Sequence, residues 1–287
     1  MDIEHQPESS LRRALGLVAA FDRALRENED RVFAVRRAAD LDEVGRDGRI
    51  GLILSLEGAE PLGLDPGLAD VFFELGVRMV GLTWNRRNAF ADGAAERGRG
   101  GLSRLGHELV ERLARLGVMV DLSHASEQTF ADVLAHEARP HVLVSHACCR
   151  AVNDTPRNVS DDQLRALAER DGVIGLMALP LAVDPERPTI ERLVDHVEHA
   201  VSVAGIGHVA LGGDFIEQVH AVVGTTNVPD SLLRPGASMG QPLEGLAGPA
   251  DYPALIDALR ARGFEGERLD AVLAGNWLRL FHRALST

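Results

Sequence analysis

Residues 118–130, VMVDLSHASEQTF, carry an apolar run straight into Asp121, Ser123 and His124. Two other runs end in the same way: IGLILSLEG (50–58) reaches Glu57, and HVLVSH (141–146) reaches His146. One carboxylate and two imidazoles form a donor set suited to zinc or a similar divalent ion, with positions left open for water. The set is catalytic in character. A structural site is normally closed by four ligands, commonly thiolates, and none of these runs ends in cysteine. Taken alone, any one of these histidines reads as a hydrogen-bonded structural residue; three ligands at the ends of separate runs favour a metal. His196 and His199, on a helix amid charges, and His282, in the last helical stretch, read as surface residues. Asn85 closes VRMVGLTWN (77–85) and Asp214 closes HVALGGD (208–214).

The elements that would have to hold these residues follow from the same pattern. VMVDLSH (118–124), the other four runs above and GVIGLMAL (172–179) read as strands. Between them GLADVFFELG (67–76), LSRLGHELVERLARLG (102–117), SEQTFADVLAHEA (126–138), SDDQLRALAERDG (160–172) and TIERLVDHVEHAVSVAG (189–205) are apolar at every third or fourth position and read as helices. Ser126, Ser160 and Thr189 stand where N-caps belong, and Gly76, Gly117, Gly172 and Gly205 where helices stop. Two further helices, YPALIDALRARG and ERLDAVLAGNWLRLFHRAL, close the chain.

Strands apolar on both faces and joined through helices imply a parallel sheet covered by helices, in either a (β/α) barrel or a doubly wound fold. A barrel gathers all its strand carboxyl ends at one mouth, whereas an open sheet offers mainly the crevice at a switch point. Polar groups at five of six strand ends therefore favour a TIM-like (β/α) barrel. GRGG (98–101) follows no strand and reads as a flexible connector, not a phosphate loop. Residues 215–250, rich in Gly, Pro and Ser, exceed the roughly 12–15 residues of a passive loop and suit a lid or an oligomer contact, so a homodimer stays open.

Composition narrows the partners. The chain has 287 residues, 45% of them hydrophobic, enough for one large single-core domain or two small ones. Thirty basic against 43 acidic residues give a formal charge of −13, with the basic residues scattered, which argues against nucleic acid. No window approaches the ~20 apolar residues of a membrane span, and MDIEHQPESS lacks the apolar core of a signal peptide, so no membrane partner is expected. Cys148 and Cys149 are adjacent and leave no disulfide framework, which suits a cytoplasmic protein.

SLEGAE, GLTWNRRNAFADG, DLSHAS, VSHACCRAVNDTPRNVSDDQL, GVIGLMAL, LGGDF and GNWLRLF, in this order, resemble the membrane (renal) dipeptidase family of zinc metallopeptidases with an amidohydrolase-type barrel. The resemblance runs from about the first helix to the carboxyl terminus and implies one dipeptidase-like domain over residues 1–287, hydrolysing dipeptides by a metal-activated water. Glu57 then matches the carboxylate bridging two zinc ions, and His124 and His146 match the histidines of the second ion. Arg157 matches the arginine that holds the substrate's terminal carboxylate, and Asp214 the aspartate that passes a proton to the leaving amine. Trp84 and Asn85 fall at the substrate, and Asp121 is expected behind a ligand. Hydrolysis of another small amide or lactam by the same site, or binding of a peptide-like ligand without catalysis, remain alternatives.

The sequence also departs from that family. Nothing before SSLRRALGLVAAFDRAL reads as the family's first strand with its His-x-Asp metal pair, so about six of eight strands and one zinc ion, not two, are expected, with impaired activity. Trp84 stands where many members have a substrate-contacting histidine, and Ile216 where an aspartate is common. Either an upstream segment completes the protein or the short form has lost the first metal. Two unpaired sheet edges around an open interior favour the former.

Overall fold

The computed structural model describes residues 7–96, 98, 100–215 and 242–286. The region 215–250 is thus described only at its ends, and Ile216 lies outside the described residues. So does the amino-terminal segment 1–6. The chain divides into two compact units, residues 1–142 with 278–287, and residues 143–277. Strands and helices alternate and the pairings in each unit are parallel, so the fold is α/β.

In the first unit, helix α1 (Pro7–Glu27) precedes β1 (Val32–Ala34), a short helix α2 (Ala38–Leu41), β2 (Ile50–Leu52) and β3 (Leu54–Glu57). The single strand expected over 50–58 is therefore two. β2 pairs in parallel with β1, a strand the sequence did not announce, whereas β3 pairs with β4 (Val77–Gly81). The break falls at Ile53, which packs with Phe33 and Ala38 against a core of Val35, Leu41 and Leu285. A continuous apolar run has no alternation to lose, so its periodicity hides such a change of sheet. β4 in turn pairs with β5 (Met119–Asp121). The registers Glu57↔Gly81 and Gly81↔Asp121 bring the carboxyl ends of these three strands level. Helices α3 (Leu68–Glu74), α4 (Arg104–Leu116) and α5 (Glu127–Ala135) provide the connections.

The helix limits have local causes. Ser103 caps α4 by accepting from the Gly106 N–H, and α4 ends at Gly117, whose φ of +68° is the left-handed conformation a residue without Cβ adopts freely. Ser126 caps α5 in the same way through the Thr129 N–H. Between its ends α4 buries Leu109, Val110 and Leu113 at helical spacing.

In the second unit β6 (Val142–Ala147, all but its first residue), β7 (Val173–Met177) and β8 (Val209–Gly213) pair in parallel in chain order. The β6–β7 ladder is irregular between Val144 and Ala147. There the Ser145 carbonyl comes so close to Gly175 and Gly212 that a Cβ at either would overlap it. Helices α6 (Asp161–Glu169), α7 (Pro180–Val183) and α8 (Ile190–Ala204) connect these strands, and α9 (Tyr252–Ala261) and α10 (Gly266–Asp270) follow; α11 (Asn276–Leu285) closes the chain. Ser160 with Gln163 forms a capping box, and Thr189 caps α8. At the end of α6 it is Asp171, with φ +56°, and not Gly172, that takes the left-handed turn. A short polar side chain tolerates that conformation better than most. No helix of the described residues is long and apolar enough to cross a membrane.

Candidate metal and substrate site

Glu57 is the last residue of β3, and its side chain is 53% exposed. His124 lies three residues beyond β5, and its side chain is only 8% exposed. His124 Nε2 stands 3.0 Å from Glu57 Oε1, and Nδ1 stands 2.7 Å from Asn85 Oδ1. An amide oxygen only accepts, so Nδ1 carries the hydrogen toward Asn85. In the neutral imidazole the Nε2 lone pair then faces an anionic oxygen. Two electron-rich atoms at this distance are reconciled by a proton or a cation, and the pair has the donor chemistry that a divalent ion uses.

The backbone here is constrained as well. His124 has φ +63°, a conformation that costs a non-glycine residue about 1–2 kcal/mol. Its carbonyl accepts from the Ala94 N–H at 2.7 Å and the Thr83 hydroxyl at 3.3 Å. Both donors belong to the segment 83–96 that follows β4, and several contacts fix that segment. The Asn85 carbonyl accepts from the Ala95 N–H at 2.8 Å, and a Cβ at Gly93 would overlap it. Arg87 makes a two-pronged pair with the buried Asp92 at 2.5 and 2.8 Å, while the Asp92 carbonyl accepts from the Ser126 N–H and the Thr129 hydroxyl. Asn88 donates to Glu60 Oε1 at 2.9 Å. Burial pushes the Glu60 carboxyl up from its ordinary range, against hydrogen bonds from Asn88 and the Trp84 N–H. The Trp84 ring lies 5.8 Å from that of His124, tilted by 34°. Asp121 accepts from the Ser123 N–H at 3.0 Å, shaping the turn that delivers His124.

Asn85, expected at the substrate, is thus 3% exposed with its amide oxygen committed to His124. Residue type alone does not separate the two roles. The position of Asn85 directly after Trp84 at a strand end marked it for the site, but its partner lies 39 residues away.

In the second unit His146 sits near the end of β6, 8% exposed, with Nδ1 2.7 Å from the Ser145 hydroxyl. Its carbonyl accepts from Arg157 Nη2 at 3.0 Å, which ties the half-buried guanidinium to the end of β6. Asp214 follows β8 directly with φ +62°. His124 and Asp214 are two of the four non-glycine residues with positive φ among those described. Strained backbone of this kind concentrates at functional positions.

His196 overturns its expected surface placement. It is fully buried: Nδ1 accepts from the Cys149 N–H at 3.0 Å, and Nε2 donates to the Val183 carbonyl at 2.8 Å. Burial lowers its pKa to about 4. The misreading has a cause: Asp195, Glu198 and His199 flank it, yet it lies three residues after Leu193 and four before Ala200, both buried on the inner stripe of α8. His199 is half-buried and pairs with Asp161 at 2.7 Å, while His282 faces Asp42 across 3.6 Å and is 45% exposed. Cys148 and Cys149 are buried free thiols, and burial pushes that of Cys149 up to about 12.

Parallel strands joined through helices, with a carboxylate and an imidazole 3.0 Å apart at two strand ends of the first unit, define the class as α/β with a candidate metal-binding pair. The fold is indeed shared with an amidohydrolase from Pseudomonas aeruginosa: TM-score 0.83, 25% identity, 95% of this chain and 85% of that one. It is also shared with a metallo peptidase from Rhodobacter sphaeroides liganded with a phosphinate mimic of the dipeptide L-Ala-D-Ala, with TM-score 0.79, 28% identity, 94% of this chain and 73% of that one. Residues 1–238 match the membrane dipeptidase family (peptidase family M19), and the chain belongs to that family. Among curated relatives, dipeptidase verJ of Clonostachys rogersoniana is 32% identical over 273 residues, 94% of this chain and 65% of that protein. The chain spans between 53% and 65% of the length of the first three curated relatives.

Proposed function

We propose that this chain is a metallodipeptidase in which Glu57, His124 and His146 hold one divalent ion, zinc. The observation that carries the reading is the approach of His124 Nε2 to Glu57 Oε1 at 3.0 Å with Nδ1 engaged by Asn85. Bound there, such an ion supplies a water acidified to a pKa of about 7 and polarises a carbonyl.

The remaining chemistry falls to the chain's own groups. The planar fork of Arg157 takes the carboxylate at one end of a dipeptide, and its bond to the His146 carbonyl fixes where that end lies relative to β6. Asp214 accepts a proton from the attacking water and delivers it to the nitrogen of the leaving amine, so that a dipeptide and one water give two amino acids. Trp84, with a single N–H donor on a large ring, lines the substrate. A second reading, a small amide or lactam as substrate, is favoured by Trp84 alone, because indole lacks the acceptor an imidazole would offer. The dipeptidase names among the relatives and the dipeptide mimic carried by the Rhodobacter sphaeroides protein support the first reading. We place the protein in the cytoplasm, where its two free thiols remain reduced.

The test is turnover on a panel of dipeptides, with lactams and other small amides alongside, before and after chelation and zinc add-back. Dipeptide hydrolysis that is lost on chelation and regained with zinc is expected. Zinc-dependent turnover confined to the lactams or amides would replace the substrate, and inactivity across the whole panel in a zinc-loaded protein would overturn the enzyme reading.

A further inference from the structure

We infer that Asn158 is a positioning residue that sets Arg157 for the terminal carboxylate of the substrate. The inference rests on the proposed role of Arg157 and adds the buried neighbour that holds it in place. Arg157 is carried by residues 148–159, a run of turns closed by one parallel bridge between Cys149 and Val159. A planar guanidinium that must meet a carboxylate with both prongs depends on such a loop being held in one position. Nη2 of Arg157 is fixed by the His146 carbonyl at 3.0 Å. The backbone end of the same side chain is fixed through Asn158.

Asn158 is 2% exposed, and each of its polar groups is engaged. Its Oδ1 accepts from the Cys148 N–H at 3.2 Å, and its Nδ2 donates to the carbonyls of Asn153 at 2.9 Å and Ala182 at 2.8 Å. The backbone N–H donates to the Thr155 carbonyl at 3.0 Å, and the backbone carbonyl accepts from Arg150 Nε at 3.2 Å. One side chain thereby joins the start of the loop, its middle and the end of α7. The last carbonyls of a helix have no partner within it. At Leu181 and Ala182 the partners are the two buried asparagines of the loop, because Asn153 Nδ2 donates to both carbonyls at 2.9 Å and Asn158 shares the second. The loop is thus pinned to α7 from within. Adjacent side chains divide the work: Asn158 is buried inside the loop, and Arg157, half-buried, reaches the His146 carbonyl. A carboxamide of this length supplies one acceptor and two donors in one plane, which neither a carboxylate nor an apolar group of the same shape provides.

The test compares kcat and KM for the fastest dipeptide of the panel and for the carboxamide of the same dipeptide, which lacks the charge that Arg157 reads. Asn158→Leu keeps the shape of the side chain and removes its hydrogen bonds. It should raise KM for the dipeptide about 10- to 100-fold with little change in kcat. For the carboxamide kcat/KM should stay within about twofold of wild type, a split that a loss of structure alone would not produce. On an Arg157→Gln background the same substitution should add no more than about twofold, because the group it positions is gone. A loss shared equally by dipeptide and carboxamide, an unchanged KM, or full additivity with Arg157→Gln would overturn the inference. If Asn158→Leu does not fold, Asn158→Ser, whose hydroxyl keeps a donor and an acceptor, gives the same comparison. Failure of both variants to fold would assign Asn158 to folding alone and overturn the inference as well. If Arg157→Gln by itself leaves the preference for the dipeptide over its carboxamide intact, the proposed role of Arg157 fails instead, and that comparison does not involve Asn158.

Discussion

His196 offers a stability test whose size follows from the structure. Its Nδ1 accepts the Cys149 N–H and its Nε2–H reaches the Val183 carbonyl, so the neutral ring satisfies two buried backbone groups. A proton added to Nδ1 would confront the Cys149 N–H. Burial accordingly lowers the pKa to about 4, the hydrogen bond to Val183 opposes the shift, and the nearby charges of Arg192 and Asp195 act in opposite senses. The unfolded chain titrates near the ordinary value of 6.5. Because the folded pKa is the lower one, the unfolded state binds the proton first as pH falls. The stabilisation is complete above about pH 6.5 and is lost progressively toward pH 4. The full shift corresponds to roughly 3 kcal/mol, and the part lost between pH 7 and pH 5 to about 2 kcal/mol. Urea unfolding of wild type and His196→Gln at pH 7, 6 and 5 isolates this group from the carboxylates, which titrate in both proteins. The wild type should lose about 2 kcal/mol more than the variant over that range. A stability difference between the two proteins that stays constant within about 0.5 kcal/mol would refute a buried neutral His196.

Other expectations concern backbone and site. Gly175→Ala sets a methyl against the Ser145 carbonyl and the Gly212 Cα, and should destabilise by about 1–3 kcal/mol in urea unfolding; a neutral result would mean the β6 irregularity relaxes freely. Arg157→Lys keeps the charge but loses the two-pronged fork, so KM for a dipeptide should rise at least about tenfold with little change in melting temperature. Asp214→Asn should depress kcat about 100-fold or more while metal content is unchanged, and full activity in that variant would remove its proton-transfer role.

Much of this architecture is legible in the residues because the signals are local. Ser126, Ser160 and Thr189 cap their helices through their own side chains, and Gly117 ends α4 in the left-handed turn. The apolar runs end near Glu57 and His124 in the first unit and near His146 and Asp214 in the second because the parallel strands within each unit run in the same direction. What escapes is set by distant partners. The break at Ile53 depends on Val35, Leu41 and Leu285, the last of them more than 200 residues away, and β1 is only three residues long. The burial of His196 depends on Cys149, and the placement of the Asn85 amide on His124. Neither partner is visible in the spacing around the residue itself.

The central claim is that Glu57, His124 and His146 serve one ion together. Its most direct measurement is metal content after equilibration with zinc and removal of loosely held ions, by elemental analysis of wild type and of Glu57→Gln, His124→Gln and His146→Gln in folded form. Wild type should retain zinc, and each of the three variants should lose the same ion. Retention of the full wild-type content by His124→Gln or His146→Gln, with circular dichroism unchanged, would contradict a shared site.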